Sequence, residues 1–255
     1  MSMNVVGIIP ARLQSSRLPE KLLLQETGKP LLQYVWEVAM ASSTLDDVII
    51  ATDSERIFDT VHSFGGHAEM TADHPSGTDR VAEIARRCCA DAEVIVNLQG
   101  DEPELEADTI EALVAAIHHG NTEMATVAAP IRDASVVSDP DCVKVVVDNN
   151  GQALYFSRSP IPFSRDASIA ELLSSERPSP WLLHVGLYAY RREFLLSLTS
   201  MPPSSLERLE KLEQLRALQS GARIAVAVVP QAAVGIDTAE DYTAFVQRQS
   251  ASDTR

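Results

Sequence analysis

Three short apolar runs, Val5-Val6-Gly7-Ile8-Ile9, Val48-Ile49-Ile50-Ala51 and Val94-Ile95-Val96-Asn97-Leu98, recur through the N-terminal part of the chain, with helical spacing between them. A continuous apolar run of this length fits a strand covered on both faces. After the first run, which Pro10 is expected to end, Leu31, Leu32, Val35, Trp36 and Ala39 fall on one helical face behind Pro30. A second helix is expected from Ser54 to Phe64, stopped by Gly65-Gly66, a third near Asp79–Cys89, and a fourth over Ala107–His118. Strand and helix in alternation select an α/β class with a Rossmann-like, mostly parallel sheet and right-handed crossovers. In such sheets ligands bind at the carboxyl ends of the strands.

The rhythm changes in the second half. Val143–Val147 and Ala153–Phe156, joined by Asp148-Asn149-Asn150-Gly151, predict a hairpin, because Asn-Gly is a strong turn signal. Residues 160–180 are rich in Pro, Ser and Arg and read as a loop, and Val185–Tyr190 reads as a strand. Leu206, Leu209, Leu212 and Leu215 predict one helix, with Ser204 and Glu207 able to form its capping box. Arg223–Val229 is a last strand before Gly235-Ile236-Asp237. The 255 residues are read as one domain, 1–255, with a smaller hairpin-containing subregion at roughly 130–200.

Acidic residues outnumber basic ones 36 to 21, a formal charge of −15, which disfavours polymeric nucleic acid and anionic membrane as partners but not a small anionic ligand in a locally basic cleft. Cys88, Cys89 and Cys142 form no CxxC pair and are expected to be buried or half-buried free thiols. No basic-then-apolar leader and no membrane-length apolar run is present, so a cytoplasmic location is expected.

Two strand ends carry candidate chemistry. Arg12, Arg17 and Lys21, with Ser15 and Ser16 between them, follow the first buried strand. Several cations with backbone N–H groups beside them suit a polyphosphate, although neither a Walker loop nor GxGxxG is present. A solvated basic loop is the alternative. Gln99-Gly100-Asp101-Glu102-Pro103 follows the third strand. A carboxylate there suits Mg²⁺, which takes one or two carboxylates with water and phosphate, and Gly100 would let the backbone approach a ligand. Taken alone, Asp101 reads equally well as a turn or helix-cap residue. Glu102 could share its work or cap the following loop. Asp237 is the best candidate for a second acid, unless it or Thr238 only caps the last helix. Arg80, at a helix start, could add to a nucleotide site, and Arg158, at the hairpin's end, could bind a carboxylate; either could equally be a structural ion pair. His184 opens a strand. No GxSxG occurs, so a serine hydrolase is not supported.

These residues carry a resemblance. Ile8-Ile9-Pro10-Ala11-Arg12, Ser15-Ser16-Arg17-Leu18-Pro19 and Lys21 resemble the N-terminal signature of the 3-deoxy-manno-octulosonate (Kdo) cytidylyltransferases. So do Ala51-Thr52-Asp53, His74-Pro75-Ser76-Gly77-Thr78-Asp79-Arg80, Val96-Asn97-Leu98-Gln99-Gly100-Asp101-Glu102-Pro103, Met124-Ala125-Thr126, Val143-Lys144-Val145-Val146, Ala153-Leu154-Tyr155-Phe156-Ser157-Arg158, His184-Val185-Gly186-Leu187-Tyr188, Leu212-Glu213-Gln214-Leu215-Arg216 and Gly235-Ile236-Asp237-Thr238. The resemblance implies a nucleotidyltransferase fold and conversion of CTP and Kdo to CMP-Kdo and pyrophosphate with Mg²⁺, for lipopolysaccharide biosynthesis. It implies Arg12, Ser15, Arg17, Lys21, Ser76 and Arg80 at the nucleotide, and Asp101 and Asp237 on the metal. Gln99, Arg158, His184, Tyr188, Glu213 and Gln214 would face the sugar acid, with Arg158 on its carboxylate. It also implies a homodimer, with the 130–200 subregion serving sugar binding and dimerisation. Metal-assisted deprotonation of the sugar hydroxyl is expected, since no side chain is an obvious general base.

The chain departs from the family pattern at Glu20-Lys21-Leu22, where Gly-Lys-Pro is usual, at Asp79, where glutamate is commoner, and at Ala239, where proline is common. Two other readings stay open: a cytidylyltransferase for another acidic sugar, such as 8-amino-Kdo or a nonulosonic acid, and a non-catalytic nucleotide-sugar sensor.

Overall fold

In the computed structural model, which describes residues 4–15, 17–174 and 178–252, the chain runs β1 (Val5–Ala11), α1 (Leu31–Ala41), β2 (Asp47–Thr52), α2 (Glu55–Ser63), β3 (His67–Met70), α3 (Gly77–Arg87), β4 (Val94–Asn97) and α4 (Ala107–Gly120). It continues through β5 (Met124–Pro130), α5 (Ala134–Ser138), β6 (Lys144–Val147), β7 (Ala153–Ser157), α6 (Ile169–Leu173), β8 (Leu182–Arg191), α7 (Arg192–Ser200), α8 (Ser205–Glu210), α9 (Gln214–Gln219), β9 (Ile224–Val228) and α10 (Ala239–Ser252). Ser16, named above with the basic loop, lies outside the described residues. Two compact units divide the chain: residues 1–111 with 233–255, and residues 112–232. The 130–200 subregion falls inside the second.

The first unit holds the parallel strands, in the order β3-β2-β1-β4. Its inner positions are mostly apolar: Ile8, Ile9, Ile50 and Val96 are all buried, with Thr52 and Asn97 as polar exceptions at the strand ends. Burial of each such side chain contributes about 1.5–3 kcal/mol. The first strand does not end at Pro10, as the sequence suggested, but runs on to Ala11. Its register explains why. Ile8 accepts from the Leu98 N–H on the β4 side, and β4 pairs only as far as Ile8, whereas β2 pairs through Ala11. Peptide groups alternate sides along a strand, so the N–H that Pro10 lacks would point past the end of β4 and no ladder bond is lost. Strand β3 was not expected, because His67-Ala68-Glu69-Met70 alternates weakly and only Ala68 is buried.

The second unit is mixed. β5 pairs antiparallel with β8 and parallel with β9, and the β6–β7 hairpin joins through β6 to β8. Gly151 makes the predicted turn with φ 74°, which glycine adopts without steric cost. The leucine series at 206–215 is not one helix. Lys211 takes φ 56° and ends α8, and α9 restarts at Gln214, although the Ser204–Glu207 capping box forms as expected. The 160–180 segment contains the short helix α6, nucleated by a capping box between Ser168 and Glu171. Cys88 is exposed, contrary to expectation, because it sits at the C-cap of α3 and points off the core face, while Cys89 is buried and Cys142 is half-buried.

Candidate active site

In the first unit, three segments distant in sequence meet at one ammonium. Lys21 Nζ donates to Asp101 Oδ2 at 2.5 Å, to Asp237 Oδ1 at 2.9 Å and to the Ile236 carbonyl at 2.9 Å. Packing brings them together. Ile236 is buried with Leu31, Tyr242 and Phe245, which seats α10, and its N–H donates to the Asp101 carbonyl at 2.9 Å. Asp237 is not consumed as a cap: Thr238 and Asp241 cap α10 reciprocally, Thr238 N–H to Asp241 Oδ2 and Asp241 N–H to Thr238 Oγ1. Burial works against the Lys21 ammonium, but the charges of Asp101 and Asp237 and their hydrogen bonds outweigh it and hold its pKa above the ordinary lysine value.

Around this knot lie two adjoining cavities of about 380 and 870 Å³. The smaller is lined by Arg12, Ser15, Arg17, Lys21, Gln99, Asp101 and Asp237, and the larger by Arg12, Gln14, Ser15, Glu20, Asp53 and Asp73. Arg12 is exposed, lines both, and has no ion-pair partner among the described residues. Arg17 reaches Asp237 Oδ2 at 2.9 Å. Gly100 lines the smaller cavity and also packs on the core. A Cβ there would meet Leu32 at 3.3 Å, Ile9 at 3.4 Å and Leu22 at 3.5 Å, so its missing side chain serves close packing of the loop on the core. Glu102 neither caps the loop nor joins the acids. Burial, then the charge of Asp101, pushes its carboxyl up to about 8, which favours the neutral form, and its buried Oε2 has no hydrogen-bond partner among the described residues.

Ser76 and Arg80 take up supporting positions. Ser76 N-caps α3 and its hydroxyl donates to Asp79 Oδ2 at 2.7 Å, while Gly77 lines the smaller cavity. Arg80 is fully buried; it bonds Thr71 Oγ1 and donates to Asp53 Oδ2 at 2.8 Å. Its guanidinium reaches the larger cavity only through Asp53. Asp53 was quoted in the sequence without a role, yet it had the same signal as Asp101: an acid directly after a buried strand. Glu20, where the pattern has glycine, takes φ 52° in the left-handed region and is held by a bidentate pair with Arg56.

The second unit gathers the other predicted residues. His184 packs edge-on to Phe156 at 4.9 Å and lies 5.5 Å from Tyr188, ring centroid to centroid. Thr126 Oγ1 lies 2.9 Å from His184 Nε2, 2.9 Å from the Leu187 carbonyl and 3.2 Å from the Val185 carbonyl. The hydroxyl has one proton, which a carbonyl takes, so Thr126 accepts from His184; that fixes the Nε2–H tautomer and leaves Nδ1 as an acceptor. Burial pushes the imidazole pKa down to about 3. Burial, and then the charge of Glu213, raises the Tyr188 phenol well above its ordinary value. Gln214 is buried, and its Nε2 has no hydrogen-bond partner. Arg158 donates from Nε to the Glu210 carbonyl and from Nη1 to the Pro140 carbonyl, both at 2.8 Å. The carboxylate nearest its guanidinium is Asp141 at 3.8 Å, so the side chain is not locked in a tight structural ion pair.

The donors at Lys21 suit a hard divalent cation. Two carboxylates and a carbonyl already converge on a positive charge there, and no group of three or more His, Cys, Asp or Glu able to hold a metal ion exists among the described residues. Two protein carboxylates with open positions are what Mg²⁺ takes when phosphate completes its shell.

The cytidylyltransferase family model matches residues 6–224. The chain is 48% identical to the 3-deoxy-manno-octulosonate cytidylyltransferase of Rhodopirellula baltica over 248 residues, 96% of this chain and 98% of that protein. It is 47% identical to the enzyme of the same name from Solibacter usitatus over 243 residues, 94% of this chain and 92% of that protein. A solved structure of CMP:2-keto-3-deoxy-manno-octonic acid synthetase complexed with CTP superposes with TM-score 0.89 at 39% identity, covering 98% of this chain and 99% of that one. A 4-diphosphocytidyl-2C-methyl-D-erythritol synthase from Anaerococcus prevotii, 13% identical with TM-score 0.63 and all of both chains covered, shares the fold.

Proposed function

Because this chain belongs to the 3-deoxy-manno-octulosonate cytidylyltransferase family, we propose that it joins CTP to Kdo, giving CMP-Kdo and pyrophosphate. The observation that carries the reading is the convergence of Asp101 and Asp237 on Lys21 beside the unpaired Arg12. The anomeric hydroxyl of the sugar attacks the α-phosphorus in line; a new P–O bond forms, the bond from that phosphorus to the oxygen shared with the β-phosphate breaks, and the hydroxyl proton passes to water. Arg12 and Lys21, helped by Arg17 and Ser15, neutralise the charge that gathers on the phosphoryl oxygens and the leaving pyrophosphate. Asp101 and Asp237 hold Mg²⁺, which when bound supplies Lewis-acid stabilisation to the triphosphate. Ser76 and Arg80 shape the nucleotide cavity through α3 and Asp53, and Gln99 lines the cavity beside Asp101.

The sugar acid falls to Arg158, His184, Tyr188, Glu213 and Gln214. The orphaned, buried Gln214 amide supports this, since such a donor is costly unless a ligand accepts from it. Neutral His184 offers Nδ1 as an acceptor for a sugar hydroxyl, and Arg158 takes the carboxylate.

The wider assignment follows the same reading: the enzyme acts as a homodimer in the cytoplasm and supplies an activated sugar for lipopolysaccharide. Among the described residues no helix is long and apolar enough to cross a membrane. The test is pyrophosphate release from CTP with Mg²⁺ across Kdo, 8-amino-Kdo and a nonulosonic acid. Turnover is expected with Kdo; turnover only with another acid would reassign the sugar, and CTP binding with no turnover on any acid would make the chain a sensor.

A further inference from the structure

Lys144 is fully buried in the second unit, yet among the described residues no carboxylate forms an ion pair with it. All three of its donors go to backbone carbonyls: Asp139 at 2.8 Å, Cys142, and Arg158 at 2.7 Å. An ammonium taken out of water with no carboxylate in contact, and only the more distant charges of Asp139 and Glu210 acting on it, is an unfavourable way to fill a core, and an apolar side chain would fill the same volume without that penalty. What the lysine adds is geometry. It ties two chain segments to one point: the 139–142 stretch and the backbone of Arg158.

Those segments are the ones that orient the Arg158 side chain. Pro140, whose carbonyl accepts from Arg158 Nη1, lies between the two carbonyls of its segment that Lys144 holds. On the other side, the Glu210 carbonyl takes Nε, and the Glu210 carboxylate takes the Arg158 N–H at 3.0 Å and the Ser157 hydroxyl at 2.7 Å. With Nε and Nη1 fixed, Nη2 is left with no hydrogen-bond acceptor among the described residues. A guanidinium braced on two neutral carbonyls keeps its full charge and a set direction for an incoming carboxylate.

We propose that Lys144 is a positioning residue for sugar-acid recognition: its buried ammonium locks the Pro140 carbonyl and the Arg158 backbone together, and so aims the Arg158 guanidinium at the carboxylate of the sugar acid. The inference rests on the assignment of Arg158 to that carboxylate.

The test uses the full chain and steady-state pyrophosphate release, with CTP and Kdo varied in turn. Lys144→Met keeps side-chain length but removes the ammonium. It is expected to raise KM for Kdo by about tenfold, the scale of one charge-assisted contact, while KM for CTP stays within about twofold. Pro140→Gly, at an exposed position, loosens the same segment without touching the core and is expected to move KM for Kdo the same way. A folded Lys144→Met with unchanged KM for Kdo, while Arg158→Ala raises it, overturns the proposal. If Lys144→Met does not fold, Pro140→Gly decides: an unchanged KM for Kdo overturns the proposal. If Arg158→Ala itself leaves KM for Kdo unchanged, the assignment of Arg158 fails, and the role of Lys144 falls with it.

Discussion

The Lys21 ammonium lies 2.5 Å from Asp101 Oδ2, although 80 residues separate the two in sequence. The same ammonium also holds Asp237, so one cation keeps two like charges together at the mouth of the cavity. Lys21→Met is therefore expected to lower kcat/KM by at least about a hundredfold, because it removes both the brace for the acids and a positive charge at the triphosphate. Pyrophosphate-release kinetics check this, and a loss under tenfold would place the lysine outside the chemistry.

Asp101→Asn keeps the shape of the side chain and one acceptor for Lys21, so the fold is expected to be unaltered by circular dichroism while turnover nearly vanishes. Asp237→Asn should act in the same direction. In wild type, chelation by EDTA is expected to stop the reaction and added Mg²⁺ to restore it. Full Mg²⁺-dependent activity in Asp101→Asn would remove that residue from the metal site.

Arg80 makes a stability prediction rather than a catalytic one. Its buried guanidinium is bonded to Thr71 and Asp53. Arg80→Ala leaves a cavity and strips Asp53 of its counter-charge, a loss of roughly 3 kcal/mol. For a chain of this length that lowers Tm by about 6–12 °C. A calorimetric scan showing no shift would mean that the ion pair contributes nothing net.

The parallel half of the fold was legible because burial on both faces writes itself as continuous apolar runs, and Ile8, Ile9 and Ile50 are buried as those runs demand. Asp101 was legible as an acid at a strand's carboxyl end, but its partnership with Asp237 was not. That contact depends on Ile236 docking among Leu31, Tyr242 and Phe245, which no local spacing encodes. Which of its two roles Arg80 takes was not legible for a related reason. A helix start attracts anions, but whether the side chain points outward or into the core is set by which face the helix buries. The break at Lys211 was hidden because a leucine every third residue continues the helical period on both sides of a residue with φ 56°. Lys144 gave no signal at all, since its partners are backbone carbonyls.

His184 sets an acid limit on the fold. Its imidazole pKa is about 3 in the folded chain against 6.5 for the free group, because burial penalises the charged ring. Between those values the unfolded chain binds a proton that the folded chain refuses. Stability from this residue is complete above about pH 6.5 and is lost as pH falls towards 3, with a slope of at most about 1.4 kcal/mol per pH unit. Carboxylates held low by partners, such as Glu207 beside Arg216, also weaken the fold in acid, so wild type alone cannot isolate the histidine. The comparison with His184→Gln does. Gln retains a donor for Thr126 but does not titrate, so urea unfolding of the two proteins should show the difference moving in favour of the variant as pH drops from 7 to 5. Parallel stability curves across that range would mean that His184 is solvated enough to protonate in the folded state. The Nδ1 acceptor assigned to the sugar would then be lost at the same pH.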